Sequence, residues 1–319
     1  MNVLEPILLL IVGFILLVKG ADWFVDGASN IAERFKVSQL VIGLTVVAMG
    51  TSLPEAAVSI SAAFKGSAGI AVGNIVGSNI LNIGLILGIT AIIAPLAVQK
   101  TTRRYEIPIV VLVTVILGVL GLTDNVVGRS DGLILLGLFI LYLIYTFKVA
   151  AKQPQLAEEI EEEVPAEEKS ITKIIAITIL GCAGIVAGAN VAVDGATDLA
   201  RMFGVSEDII GLTIVAFGTS LPELVASATA AMKKEADIAI GNIVGSNIFN
   251  ILFVLGASAT IHPIGYESSF FRDTVVCVAM PILLLLLVIN KDKSLKRWGG
   301  VVLLASYAAY FLICNLGIL

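Results

Sequence analysis

Ala48-Met49-Gly50-Thr51-Ser52-Leu53-Pro54-Glu55 returns later in the chain as Ala216-Phe217-Gly218-Thr219-Ser220-Leu221-Pro222-Glu223. The offset, 223 − 55 = 168, also relates Gly20–Gly88 to Gly188–Gly256 without a gap. Over Asp26 to Asn82, 35 of 57 aligned pairs are identical. Identity this long and this well registered is an internal duplication, not an apolar composition recurring by chance. Within each copy the proline cannot donate a backbone N–H to the carbonyl four residues earlier, and its ring clashes with that carbonyl, so the helix is expected to break near Gly50 and Gly218. The break frees backbone oxygens beside Pro54 and Glu55, and beside Pro222 and Glu223.

The surroundings of these breaks are apolar. The chain has 319 residues, 58% hydrophobic and 14% charged, with a mean hydropathy of +1.01, a balance that suits the bilayer as solvent and excludes an ordinary soluble domain. Apolar runs fit ten crossings: residues 4–25, 40–64, 70–98, 107–122, 133–149, 171–193, 209–232, 238–262, 274–289 and 298–316. Most reach the roughly 20 residues a spanning helix requires. The first run follows no Lys or Arg and leads to no small-residue cleavage site, so it reads as a retained helix. With the N-terminus outside, 15 of the Lys and Arg residues fall on the cytoplasmic side and 4 on the outer side, with Lys19 inside the first helix. Both termini are therefore expected outside a cell membrane.

Five spans precede the second copy, so the chain enters it from the opposite face. The expected fold is an all-α membrane protein of ten transmembrane helices in two inverted five-helix repeats, 1–149 and 171–319, joined by an acidic cytoplasmic linker, 150–170. Inverted repeats with broken helices meeting near the midplane are the architecture of secondary transporters. The linker, with its run Glu158 to Glu168, reads as a solvated connection.

Each copy has a second motif, Gly73-Asn74-Ile75-Val76-Gly77-Ser78-Asn79-Ile80-Leu81-Asn82 and its echo Gly241 to Asn250. Ser78 and Asn82 share a helix face, as do Ser246 and Asn250, and Gly73 and Gly77 allow close backbone approach. Together the motifs offer two carboxylates, hydroxyls, amides and opened carbonyls, with no His or Cys. That set suits hard cations, Ca2+ above all, and argues against zinc or copper. An intramembrane acid is functional by default, which singles out Glu55 and Glu223. Asn74, Asn79, Asn242 and Asn247 read as helix-packing or capping residues. Asp26 and Asp194 read as helix-end or interhelical hydrogen-bonding residues ahead of an ion access path. His262 reads as a surface residue, and Cys182, Cys277 and Cys314 as packing residues with neither disulfide nor metal implied. No nucleophile, phosphate loop or catalytic dyad accompanies the carboxylates, so an enzyme is unsupported and no cofactor is expected.

The paired motifs GTSLPE with GNIVGSNILN and GTSLPE with GNIVGSNIFN resemble the two alpha-repeats of sodium/calcium exchangers in the cation/calcium exchanger superfamily, and the likeness covers essentially the whole chain. The resemblance implies exchange of Na+ for Ca2+ by alternating access. It implies Ca2+ ligands at Glu55 and Glu223 with the carbonyls of Thr51 and Thr219. It implies Na+ sites at Ala48, Ser52, Ser78, Ala216, Ser220 and Ser246 together with the two glutamates, and Asn82 and Asn250 near the centre. Potassium-dependent relatives typically carry Asp at the position of Asn250, so K+-independence is expected; some prokaryotic relatives also have an acid there. A proton/cation antiporter is the leading alternative, since a proton and a cation compete for the same carboxylate, and a cation channel is a more distant one. The expected partners are Ca2+, Na+ and the lipid bilayer, with no nucleic acid, and the chain is expected to act as a monomer.

Overall fold

The computed structural model describes residues 3–66, 69–151, 170–204, 216–266 and 268–315. The first half begins with α1 (Leu4–Arg34), followed by α2 (Gln39–Thr51) and α3 (Leu53–Phe64), which meet at a bend of 51°. Next come α4 (Gly69–Ile93), strand β1 (Leu96–Ala97), α5 (Thr102–Asp124), β2 (Val126–Val127) and α6 (Arg129–Ala151). The second half comprises α7 (Ile171–Met202), α8 (Ala216–Thr219), α9 (Leu221–Met232), α10 (Ala236–Ile261), β3 (Ile264–Gly265), α11 (Ser268–Val288), β4 (Ser294–Leu295) and α12 (Arg297–Asn315). Among the described residues, eight helices are long and apolar enough to cross a membrane, and the bent pair α2–α3 makes a ninth span. The first part of the expected seventh run, 209–215, and most of the linker, 152–169, lie outside the described residues.

Burial is graded from the centre outwards. Every residue of α10 from Ile238 to Phe249 is buried, whereas α1 and α6 turn Leu8, Phe14, Leu133 and Leu141 outwards. An all-apolar exterior is what a lipid-facing helix requires, because lipid takes the place of a protein neighbour.

The contact between α1 and α7 rests on glycines seven residues apart, Gly13, Gly20 and Gly27 against Gly181, Gly188 and Gly195. A Cβ on Gly13 would lie 2.5 Å from the backbone nitrogen of Ala192, and one on Gly181 2.5 Å from that of Phe24. Small residues let the two backbones touch, which maximises dispersion where no hydrophobic effect drives helix association. Gly13 meets Ala192, Gly20 meets Ile185 and Gly27 meets Thr178, so the helices run antiparallel. The seven-residue glycine spacing was legible in the sequence, and the reading above missed it.

The short strands repeat the crosswise pattern. β1 pairs with β4 through Leu96 and Leu295, and β2 pairs with β3 through Val126 and Gly265, both antiparallel. β3 is β1 displaced by 264 − 96 = 168 residues, and β4 is β2 displaced by 294 − 126 = 168, so the duplication extends past the motifs with its register intact.

Candidate ion-binding site

Glu55 and Glu223 stand in the first turns of α3 and α9. A proline in that turn costs the helix it begins no hydrogen bond, and the positive end of the helix dipole favours a carboxylate there. Both glutamates are fully buried. Ser52, in the turn between α2 and α3, donates to Oε1 of Glu223 at 2.7 Å, and Ser220 donates to Oε1 of Glu55 at 3.0 Å. Each carboxylate is thus held by the opposite half. Thr51 and Ser246 also bear on the Glu223 carboxylate, and Thr219 on that of Glu55. Among the described residues Oε2 of each glutamate accepts no hydrogen bond, and no Lys, Arg or His forms an ion pair with either. An uncompensated buried charge costs several kcal/mol, so two such groups side by side need either a proton or a cation to balance them.

The helix break falls at Ser52, two residues beyond the expected Gly50, with φ −82° and ψ 9°, and at Ser220 in the second half. Proline is tolerated within the first turn of the new helix, so the chain breaks just before that helix begins and not at the carbonyl the proline leaves unbonded. The carbonyl of Ala48 accepts from Ser52 N at 3.1 Å, and the hydroxyls of Thr51 and Ser246 lie 3.4 Å from it. The carbonyl of Gly50, which Pro54 leaves without its helical donor, accepts from Sγ of Cys182 on α7 at 3.6 Å. Cys182 therefore does more than fill space, and no spacing in the sequence pointed to it. All three cysteines are free.

The second motifs supply the rest of the site. Ser220 reaches Ser78 at 3.4 Å. Asn74 donates to Ser59 at 2.9 Å, and Asn242 donates to Ser227 at 2.9 Å while its Oδ1 accepts from Thr51 at 3.0 Å, so these two amides tie helices together. Asn79 and Asn247 bond to one another's backbone carbonyls at 3.0 and 3.1 Å. Asn82 and Asn250 are fully buried, and each opens a π-helical turn, Asn82–Ile86 and Asn250–Leu255. Such turns recur at functional sites because the extra residue re-aims the side chains around it. Among the described residues their Oδ1 atoms, like Oε2 of Glu55 and Glu223, accept no hydrogen bond. Four buried oxygens thus remain as acceptors, from two carboxylates and two amides.

The structure therefore brings together Thr51, Ser52, Glu55, Ser78, Ser220, Glu223 and Ser246 with the carbonyl of Ala48, and the π-helical turns opened by Asn82 and Asn250 pack against α9 and α3, the helices that carry Glu223 and Glu55. Ala216 is the first described residue of α8, and Gly218 is buried. Among the described residues no group of three or more His, Cys, Asp or Glu could hold a metal, so any cation here depends on neutral oxygens as well as on the two carboxylates. Asp26 stands apart. With Asp22 it receives Lys233, each carboxylate at 2.6 Å, an interhelical contact between α1 and the end of α9. Burial opposes the Lys233 charge, but the hydrogen bonds of Asp22 and Asp26 outweigh it and raise its affinity for a proton. Asp194 is exposed, and His262 is a surface residue.

The sequence matches the family of sodium/calcium exchanger proteins over residues 5–148 and 173–315. It is 36% identical over 342 residues to the sodium/calcium exchanger MaX1 of Methanosarcina acetivorans, covering 96% of this chain and 97% of that one. It is 40% identical over 307 residues to the inner membrane protein YrbG of Escherichia coli, covering 95% and 94% of the two chains. The fold is similar to a solved structure of the sodium-calcium exchanger NCX_Mj soaked with zero Na+ and Ca2+, with TM-score 0.85 and 37% identity over 99% of this chain and 100% of that chain. With both halves matched, the chain belongs to the sodium/calcium exchanger family, as a multi-pass membrane transporter and not an enzyme.

Proposed function

We propose that this chain exchanges Na+ for Ca2+ across the membrane by alternating access, without K+. The observation that carries the reading is the pair of crossed serine–carboxylate bonds, Ser52 to Glu223 and Ser220 to Glu55, which leaves one oxygen of each buried glutamate unpartnered. Two carboxylates neutralise one Ca2+, and the carbonyls of Thr51 and Thr219 complete its shell of hard oxygens. Na+ takes the flanking positions at Ala48, Ser52, Ser78, Ala216, Ser220 and Ser246, each sharing a glutamate oxygen. Because both ions need Glu55 and Glu223, they occupy the centre in turn, which gives exchange and not cotransport. Asn82 and Asn250 contribute neutral oxygens and add no charge for K+ to balance. One chain supplies every ligand, so a monomer suffices.

Alternating access follows from ten helices in two inverted five-helix repeats, whose conformations can be swapped. The reciprocal contacts at a constant offset and the antiparallel run of α1 along α7 support a two-fold axis in the membrane plane. The left-handed residues that end the helices support the orientation with both termini outside and the linker cytoplasmic. The turn after α1 has Lys36 at φ 53° where α7 has Gly204 at φ 77°, and the turn after α3 has Gly66 at φ 75° where α9 has Lys234 at φ 66°. Lysine occupies, on the side assigned to the cytoplasm, a conformation that costs about 1 kcal/mol more for it than for glycine, as the positive-inside rule asks of an inverted copy.

The test is 45Ca uptake by proteoliposomes. Uptake is expected only against an opposing Na+ gradient and unchanged by K+, and Glu55→Gln or Glu223→Gln is expected to abolish it. Undiminished exchange in either variant would sink the site, and uptake driven by a pH gradient without Na+ would replace sodium coupling with proton coupling.

A further inference from the structure

We infer that Asn79 and Asn247 are positioning residues that turn the amide oxygens, and not the amide nitrogens, of Asn82 and Asn250 toward the transported cation. The inference rests on the ion site proposed above and assigns a role in it to two residues that touch no ion.

An amide side chain has two ends of nearly equal size and opposite sense, one accepting and one donating. A cation needs the accepting end, since an NH2 group turned toward it repels. The sense is set here from the backbone. The carbonyl of Asn79 can only accept, and it takes Nδ2 of Asn247 at 3.1 Å. Oδ1 of Asn247 is thereby left to face the other way, where it accepts Nδ2 of Asn82 at 3.0 Å. With its nitrogen engaged, Asn82 is left with Oδ1, which is buried and has no partner. The mirrored chain starts at the carbonyl of Asn247, takes Nδ2 of Asn79 at 3.0 Å, passes through Oδ1 of Asn79 to Nδ2 of Asn250 at 3.1 Å, and leaves Oδ1 of Asn250 without a partner. All four side chains are fully buried, so each amide takes its partners from within the protein. A carbonyl that accepts only thus dictates, two bonds away, which end of a central amide meets the ion.

The experiment is a double-mutant cycle read by equilibrium 45Ca binding to the detergent-purified full chain. Asn247→Ala frees the Asn82 amide to rotate and is expected to weaken calcium binding by about 10-fold to 100-fold, the usual cost of losing a residue that orients a ligand. In an Asn82→Asp background both ends of the side chain are oxygens and no orientation is needed. There the same Asn247→Ala change is expected to cost little, or to restore binding if Asn82→Asp alone has lost it by facing Oδ1 of Asn247. A cost in the parent below about threefold, a cost at least as large in the Asp background as in the parent, or a lost binding that Asn247→Ala does not restore overturns the inference. If either variant does not purify as folded protein, Asn79→Ala with Asn250→Asp is read in the same way. Glu55→Gln in the same assay separates the two levels: calcium binding that survives it removes the site itself, whereas its loss together with an additive cycle removes only the asparagine assignment.

Discussion

Ser52 and Ser220 each anchor the glutamate of the other half, and their worth follows from the charge they hold. A hydrogen bond to a charged group contributes about 1.5–3 kcal/mol, so Ser52→Ala or Ser220→Ala should raise the calcium concentration for half-maximal 45Ca uptake by about tenfold or more. Cys182 has a different office, since its thiol serves a carbonyl that Pro54 leaves unbonded. Cys182→Ala leaves that carbonyl without its donor and should lower stability by about 1 kcal/mol, seen as a drop in Tm, while Cys182→Ser, which keeps a donor, should recover most of it.

At the scale of elements, the bend of 51° between α2 and α3 is what turns Ser52 and Glu55 into the interior. Pro54→Ala returns an N–H to the carbonyl of Gly50 and lets the two helices join, so it should leave Tm unchanged or higher while cutting exchange by about tenfold or more, since a misplaced ligand set costs at least that factor. Stability and transport moving in opposite directions is the signature of a break kept for function. The α1–α7 contact should behave in the ordinary way. A Cβ at Gly188 would lie 2.6 Å from the backbone nitrogen of Leu17, which a backbone atom can relieve only by separating the helices. Gly188→Val should therefore lower Tm and exchange together, by about 1–3 kcal/mol in stability, as measured by thermal denaturation and proteoliposome uptake.

Across the whole molecule the site draws on both halves, so a bound cation should brace them against each other. Calcium at about 100 times its Kd should stabilise the folded chain by about 2.7 kcal/mol. The Tm should rise on adding Ca2+, fall back with a chelator, and show no response in Glu223→Gln. The halves are equivalent in plan but not in contact: Lys233 holds Asp22 and Asp26, whereas its counterpart Lys65 makes no ion pair among the described residues.

The duplication, the bilayer as solvent and the two buried glutamates were all legible in the sequence, because each depends on composition, spacing or one residue's covalent nature. Pro54 and Pro222 cannot donate, Glu55 and Glu223 carry charge, and an offset of 168 is the same in one dimension as in three. The break was read two residues early because sequence names the proline and not the turn that accommodates it. Only the tertiary structure decided that each carboxylate is held by a serine of the other half, that Cys182 serves the carbonyl of Gly50, and that Asn79 and Asn247 accept hydrogen bonds from the amides of Asn250 and Asn82. Those partners lie 132 to 171 residues apart, counted along the chain. The direction of a hydrogen bond at that separation is fixed by which faces of two helices are pressed together, and no local periodicity encodes it.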